Sequence, residues 1–251
     1  MSLVLAETAK YIIIPLLAPA IGGLIALRSH PNELAKSLIR HVAAGLVFAA
    51  AAIELLPNLT QDKQPFATII GFVLGVGLLL ALNRLFGGHY HGDKDETQEH
   101  AHANGGNTNK LSTMMAAIYI DVVVDGLLIG IGFATGIVEG RLLTLALAAE
   151  ALFIGLSIAI SCRQQNMPEA KSLITAASPG LILAIMAVVG ATIMSSLHGA
   201  LHQGVLAFGI AALLYLVTEE LLVEAHESPD EPIEVAGFFA GFLLILVLAI
   251  L

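Results

Sequence analysis

Met114–Gly136 reads MMAAIYIDVVVDGLLIGIGFATG, a run of 23 residues that is apolar but for two aspartates, Asp121 and Asp125, set four apart near its middle. Crossing the hydrocarbon of a bilayer takes about 20 apolar residues in a helix. A helix is also the form that satisfies all its backbone polar groups within one segment. This stretch therefore decides the fold class: it is a membrane span, and an acidic one. A charged side chain at the centre of a span costs about 2.5–3.5 kcal/mol or more. Two of them on one helix face point to a pathway for something positively charged.

The same length criterion, carried outward along the chain, gives eight spans: 9–27, 38–56, 66–86, 114–136, 142–162, 173–195, 204–223 and 233–251. The composition agrees, with 57% hydrophobic residues, 12% charged residues and a mean hydropathy of +0.87, far from the soluble norm. The expected architecture is a single all-α polytopic membrane domain over 1–251, with the lipid bilayer as its main partner. The first span lacks the basic start and small-residue cleavage site of a removable signal, so it is expected to be a true span. Orientation follows the basic residues in the connections. Arg28, Lys36, Arg40, Arg84, Lys94, Lys110, Arg163 and Lys171 fall on one side, and Lys10, Lys63 and Arg141 on the other. That bias places both termini outside a cell membrane. The net charge of -9 fits a protein that handles cations and argues against a nucleic-acid partner. Cys162, the only cysteine, allows no internal disulfide.

Residues 87–112 interrupt the bundle with GGHYHGDKDETQEHAHANGGNTNKLS, almost devoid of apolar side chains and expected to be a disordered cytoplasmic loop. It carries His89, His91, His100 and His102 in two His-x-His pairs, which bind divalent metals weakly and suit buffering or sensing.

Within the membrane, a spacing of four puts the Asp121 and Asp125 carboxylates on one face with Cβ atoms about 5–6 Å apart, close enough to share a cation. Glu150 lies mid-span in the next helix. A turn at Glu139-Gly140-Arg141 would make the two helices antiparallel neighbours and bring the three acids to one depth. An all-oxygen site suits hard or borderline divalent ions, with Mn²⁺, Fe²⁺ and Zn²⁺ as candidates. Acids bonded to neighbouring helices are the alternative. Glu54 near the outer end of the second span, and Glu219, Glu220, Glu224 and His226 at the inner end of the seventh, are candidate entrance and exit ligands. Glu-Leu-Leu occurs at both Glu54 and Glu220 in helices of opposite direction, as an inverted repeat would produce. His198 and His202 could share one helical turn, and His41 begins the second span at the inner face; each is expected to be a solvated or interface-anchored histidine. Gly71-x-x-x-Gly75 and Gly126-x-x-x-Gly130 allow close helix packing, within the chain or in a homodimer.

This arrangement resembles the ZIP (Zrt/Irt-like) family of divalent-metal transporters. His41-Val-Ala-Ala-Gly45 through Glu54-Leu-Leu-Pro57 looks like the family's second span, and Leu206-Ala-Phe-Gly through Glu219-Glu220-Leu-Leu-Val-Glu224-Ala-His226 like its seventh. Where the family writes His-Asn-x-Pro-Glu-Gly in the fourth span, this chain has Asp121-Val122-Val123-Val124-Asp125-Gly126. In the fifth span Glu150 falls on the first polar position, Ala151 on the second, Phe153 on the proline and Ile154 on the glutamate. The resemblance implies a divergent member whose binuclear site is reduced to Asp121, Asp125 and Glu150. It further implies alternating-access uptake of a divalent metal as substrate, with no prosthetic group. Protons are a natural companion, because protonating a carboxylate weakens a metal site. Competing readings are a ZIP-like metal sensor without flux, and an intramembrane protease. The second is disfavoured, because Glu224 stands where Glu-Glu-x-x-x-Arg needs arginine and both aspartates lie on one helix. The chain is therefore not expected to be an enzyme.

Overall fold

Long apolar runs leave the backbone one option in lipid, and the computed structural model shows it. It describes residues 2–29, 31–61, 64–86, 106–225 and 232–251. Among these, eight helices are long and apolar enough to cross a membrane: α1 (Val4–Arg28), α2 (Leu34–Thr60), α3 (Pro65–Leu82), α4 (Met115–Thr135), α5 (Ile137–Gln164), α6 (Glu169–Ser196), α7 (Ala200–Glu219) and α8 (Pro232–Ile250). The chain is thus a polytopic helical bundle, and each helix overlaps its expected span with ends shifted by a few residues. The helix that carries α4 begins at Gly106, inside the stretch expected to be disordered. The remainder of that loop, with His89, His91, His100 and His102, lies outside the described residues, as does His226.

Helix ends follow local chemistry. Asn32 caps the helix of α2 by accepting a hydrogen bond from the Ala35 amide at 2.9 Å. After α5, Asn166 adopts φ 55°, and the amides of Asn166 and Met167 bond back to the carbonyls of Arg163 and Cys162. That pair of bonds is a Schellman closure, and Pro168 follows it. α1 carries a turn at Ile12, between helical segments Ser2–Tyr11 and Ile13–Arg28. Pro15, lacking an amide hydrogen, has no bond to give to the carbonyl four residues back.

The α4–α5 reversal differs from expectation. Glu139, Gly140 and Arg141 are already helical, and the break is Gly136, extended at φ -175° and ψ 160°. A single extended residue suffices because α4 and α5 pack directly on each other.

Two helix groups emerge from the packing. In one, α1 lies along α5 and α6, and α4 along α5 and α6. In the other, α2 lies along α8, and α3 along α7. The groups meet mainly where α2 crosses α5. Small residues set these pairings, since burial of apolar surface gives little drive between helices in lipid and close backbone approach must supply contact. A methyl added at Gly71 would strike the Gly204 carbonyl of α7, and one at Gly126 would sit 2.6 Å from the Leu183 carbonyl of α6. Both Gly-x-x-x-Gly faces therefore serve packing inside the chain.

α2 and α7 each contain one six-residue π-helical segment, Ala50–Leu55 and Leu216–Leu221. Such bulges insert an extra residue into the i→i−4 ladder and occur frequently at functional sites.

Candidate metal centre

Depth along the helices brings the acids together. Asp125 and Asp121 precede Gly136 by 11 and 15 residues, and Glu150 follows it by 14. At about 1.5 Å per residue the three lie roughly 17, 22 and 21 Å from the break, well inside the membrane. One carboxylate oxygen from each of Asp121, Asp125 and Glu150 lies within 4.8 Å of the others. Asp125 is fully buried and Glu150 3% exposed, while Asp121 is partly buried. Among the described residues this is the one group of three or more His, Cys, Asp or Glu side chains so assembled. Three oxygens at that spacing can close on a cation, and the ligand set is hard.

The helices run unbroken through the site, for α4 at Val122–Val124 and for α5 at Ala151–Ile154. With Val124 and Phe153 in place of helix-breaking prolines, the backbone carbonyls keep their intrahelical bonds, and the donors on offer are side-chain oxygens. Val122 is fully buried, and Ala151, Phe153 and Ile154 are buried too, which makes the surroundings apolar.

Of the other expected ligands, Glu54 and Glu219 are not drawn into this cluster. Glu54 and Glu220 occupy the fifth position of their respective π segments, and Glu219 the fourth. Glu219 is exposed and Glu54 half-buried. Glu224 falls in the short helix Leu222–Ala225 that continues α7. His198 and His202 do not share a helical turn, because His198 sits in the α6–α7 connection and Gly199, at φ 58°, starts α7 anew. His41, of the two expected forms solvated and interface-anchored, is not the solvated one: it is buried, with Nδ1 3.0 Å from the Ser37 carbonyl.

Three groups near the pathway escaped the sequence reading. Asn58 donates to the Glu54 carbonyl at 2.7 Å and to Glu139 Oε1 at 3.2 Å, tying the π segment of α2 to the start of α5. Arg40 of α2 holds its guanidinium 4.5 Å above the Phe153 ring, one turn from Glu150. Glu7 pairs with Lys10 at 2.5 Å and with Arg141 at 3.4 Å, while the Arg141 guanidinium lies 4.9 Å above Tyr11. Each sits at a polar flank, where an arginine or glutamate carries no pattern that distinguishes it from a headgroup anchor.

No protein-family model matches the chain. Zinc transporter ZIPB of Bordetella bronchiseptica (strain ATCC BAA-588 / NCTC 13252 / RB50) is 29% identical over 251 residues, covering 92% of this chain and 76% of that protein. Zinc transporter GufA of Myxococcus xanthus is 27% identical over 200 residues, covering 78% of this chain and 76% of that protein. Both alignments run through most of an eight-span architecture with a buried carboxylate cluster. The chain is similar to these zinc transporters over most of its length, in line with its resemblance to the ZIP family. Both relatives are named as transporters, not as enzymes, which leaves the intramembrane-protease reading without support. In this chain the acids of α4 and α5 are aspartate, aspartate and glutamate on straight helices.

Proposed function

We propose that the protein carries divalent transition-metal cations of the zinc, manganese and iron class across the membrane into the cytoplasm, by alternating access through Asp121, Asp125 and Glu150. The observation that carries this reading is the convergence of three carboxylate oxygens within 4.8 Å of one another at membrane depth, on adjacent helices of one group. The two relatives named as zinc transporters support zinc as the first ion to try. All three acids belong to the α1–α4–α5–α6 group, so movement of that group against α2, α3, α7 and α8 would transfer a bound ion from one side to the other without dismantling its ligands. Glu54 lies on the π segment that packs against α5, and serves as an entrance ligand. Glu219, Glu220, Glu224 and His226 serve as exit ligands, and His89, His91, His100 and His102 buffer the released ion. Proton exchange at the carboxylates resets the empty carrier.

The test is uptake of Zn²⁺, Mn²⁺, Fe²⁺, Co²⁺ and Cd²⁺ into sealed proteoliposomes by the parent and by Asp125→Ala. Flux in the parent that the substitution abolishes supports the reading, and the ranking of ions names the substrate. Binding of metal without flux of any ion would replace it with a metal sensor.

A further inference from the structure

Between α3, α4, α6 and α7 lies a cleft of about 700 Å³. It runs along α4 from Tyr119 to Ile131, with Val205 and Phe208 of α7 forming the opposite wall. Its mouth is at Leu78 of α3 and Ile193 of α6, which are 44% and 49% exposed on the outer surface of the bundle. The lining is apolar except for Tyr119, and that hydroxyl is occupied. Ser178 donates to the Thr175 carbonyl at 2.7 Å, so at the 2.7 Å contact between the two hydroxyls Tyr119 is the donor. A water in such a cleft lacks the two to four polar partners that would hold it.

We propose that this cleft seats one acyl chain of a membrane lipid. Three observations select that occupant. The mouth is continuous with the face that the spans present to the bilayer, where α3 alone exposes Phe66, Ile69, Val73 and Leu74. The thirteen residues from Tyr119 to Ile131 of α4 span about 18 Å at 1.5 Å per residue, comparable to one leaflet's share of the hydrocarbon core at about 15 Å, so the cleft is long enough to take an acyl chain. The walls ask for no hydrogen bond, which suits a hydrocarbon and excludes a headgroup. The chain would lie in the seam between the two helix groups, with α4 and α6 on one side and α3 and α7 on the other. The inference concerns binding and stands whether or not the protein transports.

The chain has no tryptophan, so single tryptophans report cleanly. Phe208→Trp places one on the cleft wall, Phe72→Trp, at 36% exposure on α3, one in bulk lipid, and Phe133→Trp, at 1% exposure, one in the core. Each protein, shown by size exclusion to be folded, is reconstituted into phosphatidylcholine brominated along its acyl chains. The expected result is quenching of Phe208→Trp to at least half the extent seen for Phe72→Trp, with Phe133→Trp unquenched. Filling the cleft with Val205→Phe should cut the Phe208→Trp quenching at least twofold and leave Phe72→Trp unchanged. Quenching of Phe208→Trp no greater than that of Phe133→Trp, or unaffected by Val205→Phe, overturns the proposal. So does quenching that appears only at single copies per vesicle, because a second copy of the chain would then fill the cleft.

Discussion

Replacing Asp125 by asparagine keeps the shape of a fully buried side chain and removes its charge, which separates a metal ligand from an acid that fastens helices. A cation equidistant from three oxygens spaced 4.8 Å apart sits at most about 2.8 Å from each, and ligand distances of about 2.0–2.2 Å require each oxygen to close by roughly 0.7 Å. At an effective dielectric constant of about 20, the attraction between a divalent ion and one carboxylate at about 2.8 Å is about 12 kcal/mol, an upper bound before dehydration of the ion is subtracted. A conservative floor comes from metal sites in general, where even the partners that orient ligands contribute about 10–100-fold to affinity. Asp125→Asn should therefore weaken binding at least about 100-fold.

The assay is metal-dependent thermal stabilisation of the purified protein, which needs no flux. At a metal concentration of about 100 Kd the parent gains about 2.7 kcal/mol. The variant, with its Kd raised to that concentration, gains about 0.4 kcal/mol. Without metal the sign reverses. Two carboxylates at 4.8 Å repel by up to about 3.5 kcal/mol at the same dielectric constant, so metal-free Asp125→Asn should be at least as stable as the parent. Metal-free destabilisation by more than about 1 kcal/mol, with the metal response intact, would refute the reasoning and make Asp125 a structural acid, a loss of the size expected when a buried hydrogen bond is removed.

On α3, Gly71→Ala should cost about 1–3 kcal/mol because the new methyl meets the Gly204 backbone, whereas Gly77→Ala, with nothing within 4 Å, should gain up to about 1 kcal/mol from helix propensity; thermal unfolding of the two variants, read side by side, checks the contrast. Glu54→Gln should lower maximal uptake about tenfold or more, the scale of a lost acid–base or ligand group, yet shift the metal-dependent thermal response less than threefold in apparent Kd. Loss of that thermal response would place Glu54 among the primary ligands. For orientation, a Cys162→Ala background carrying His198→Cys should react with an impermeant maleimide on intact cells, and one carrying Gln165→Cys should react only after permeabilisation. The opposite pattern overturns the assignment of both termini to the outside.

The spans were legible because hydrocarbon thickness and backbone satisfaction leave so little freedom that counting apolar residues finds them. The α4–α5 reversal was misplaced by a few residues because glycine signals at Gly136 and Gly140 are equivalent in sequence; the packing of Gly140 against Phe133 decides which one stays helical. The shift matters for the acid cluster: moving the break from Gly140 to Gly136 brings Asp121 and Asp125 four residues nearer to it and takes Glu150 four residues further away, which sets Glu150 between the two aspartates in depth. The partners of the glycine faces were illegible, because Gly71-x-x-x-Gly75 specifies closeness but not which helix comes close. The π segments were illegible for a different reason: a change in hydrogen-bond register needs no residue type of its own. Only the repeated Glu-Leu-Leu hinted at them.

That hint gains force from the packing. Exchanging α1 with α6, α2 with α7, α3 with α8 and α4 with α5 pairs helices of opposite direction, and it converts each dominant contact into another. The α1–α5 pairing becomes α6–α4, and α2–α8 becomes α7–α3. The exchange places Glu54 on Glu220, each fifth in a π segment at the crossing of the two halves. Such an inverted repeat would also place α4's acids on α5, with Asp121 matched to Glu150 and Asp125 to Ile154, both at a spacing of four. Only the second match fails, and Ile154 is a buried apolar side chain. The centre is therefore asymmetric within a symmetric frame. Symmetry in the helices lets two related conformations have similar packing, while the missing fourth carboxylate limits the charge that must be neutralised each time the centre is emptied. Three acids at membrane depth already approach what one divalent ion and a proton can balance. A fourth would leave an excess negative charge in an apolar surround, and isoleucine at 154 removes it.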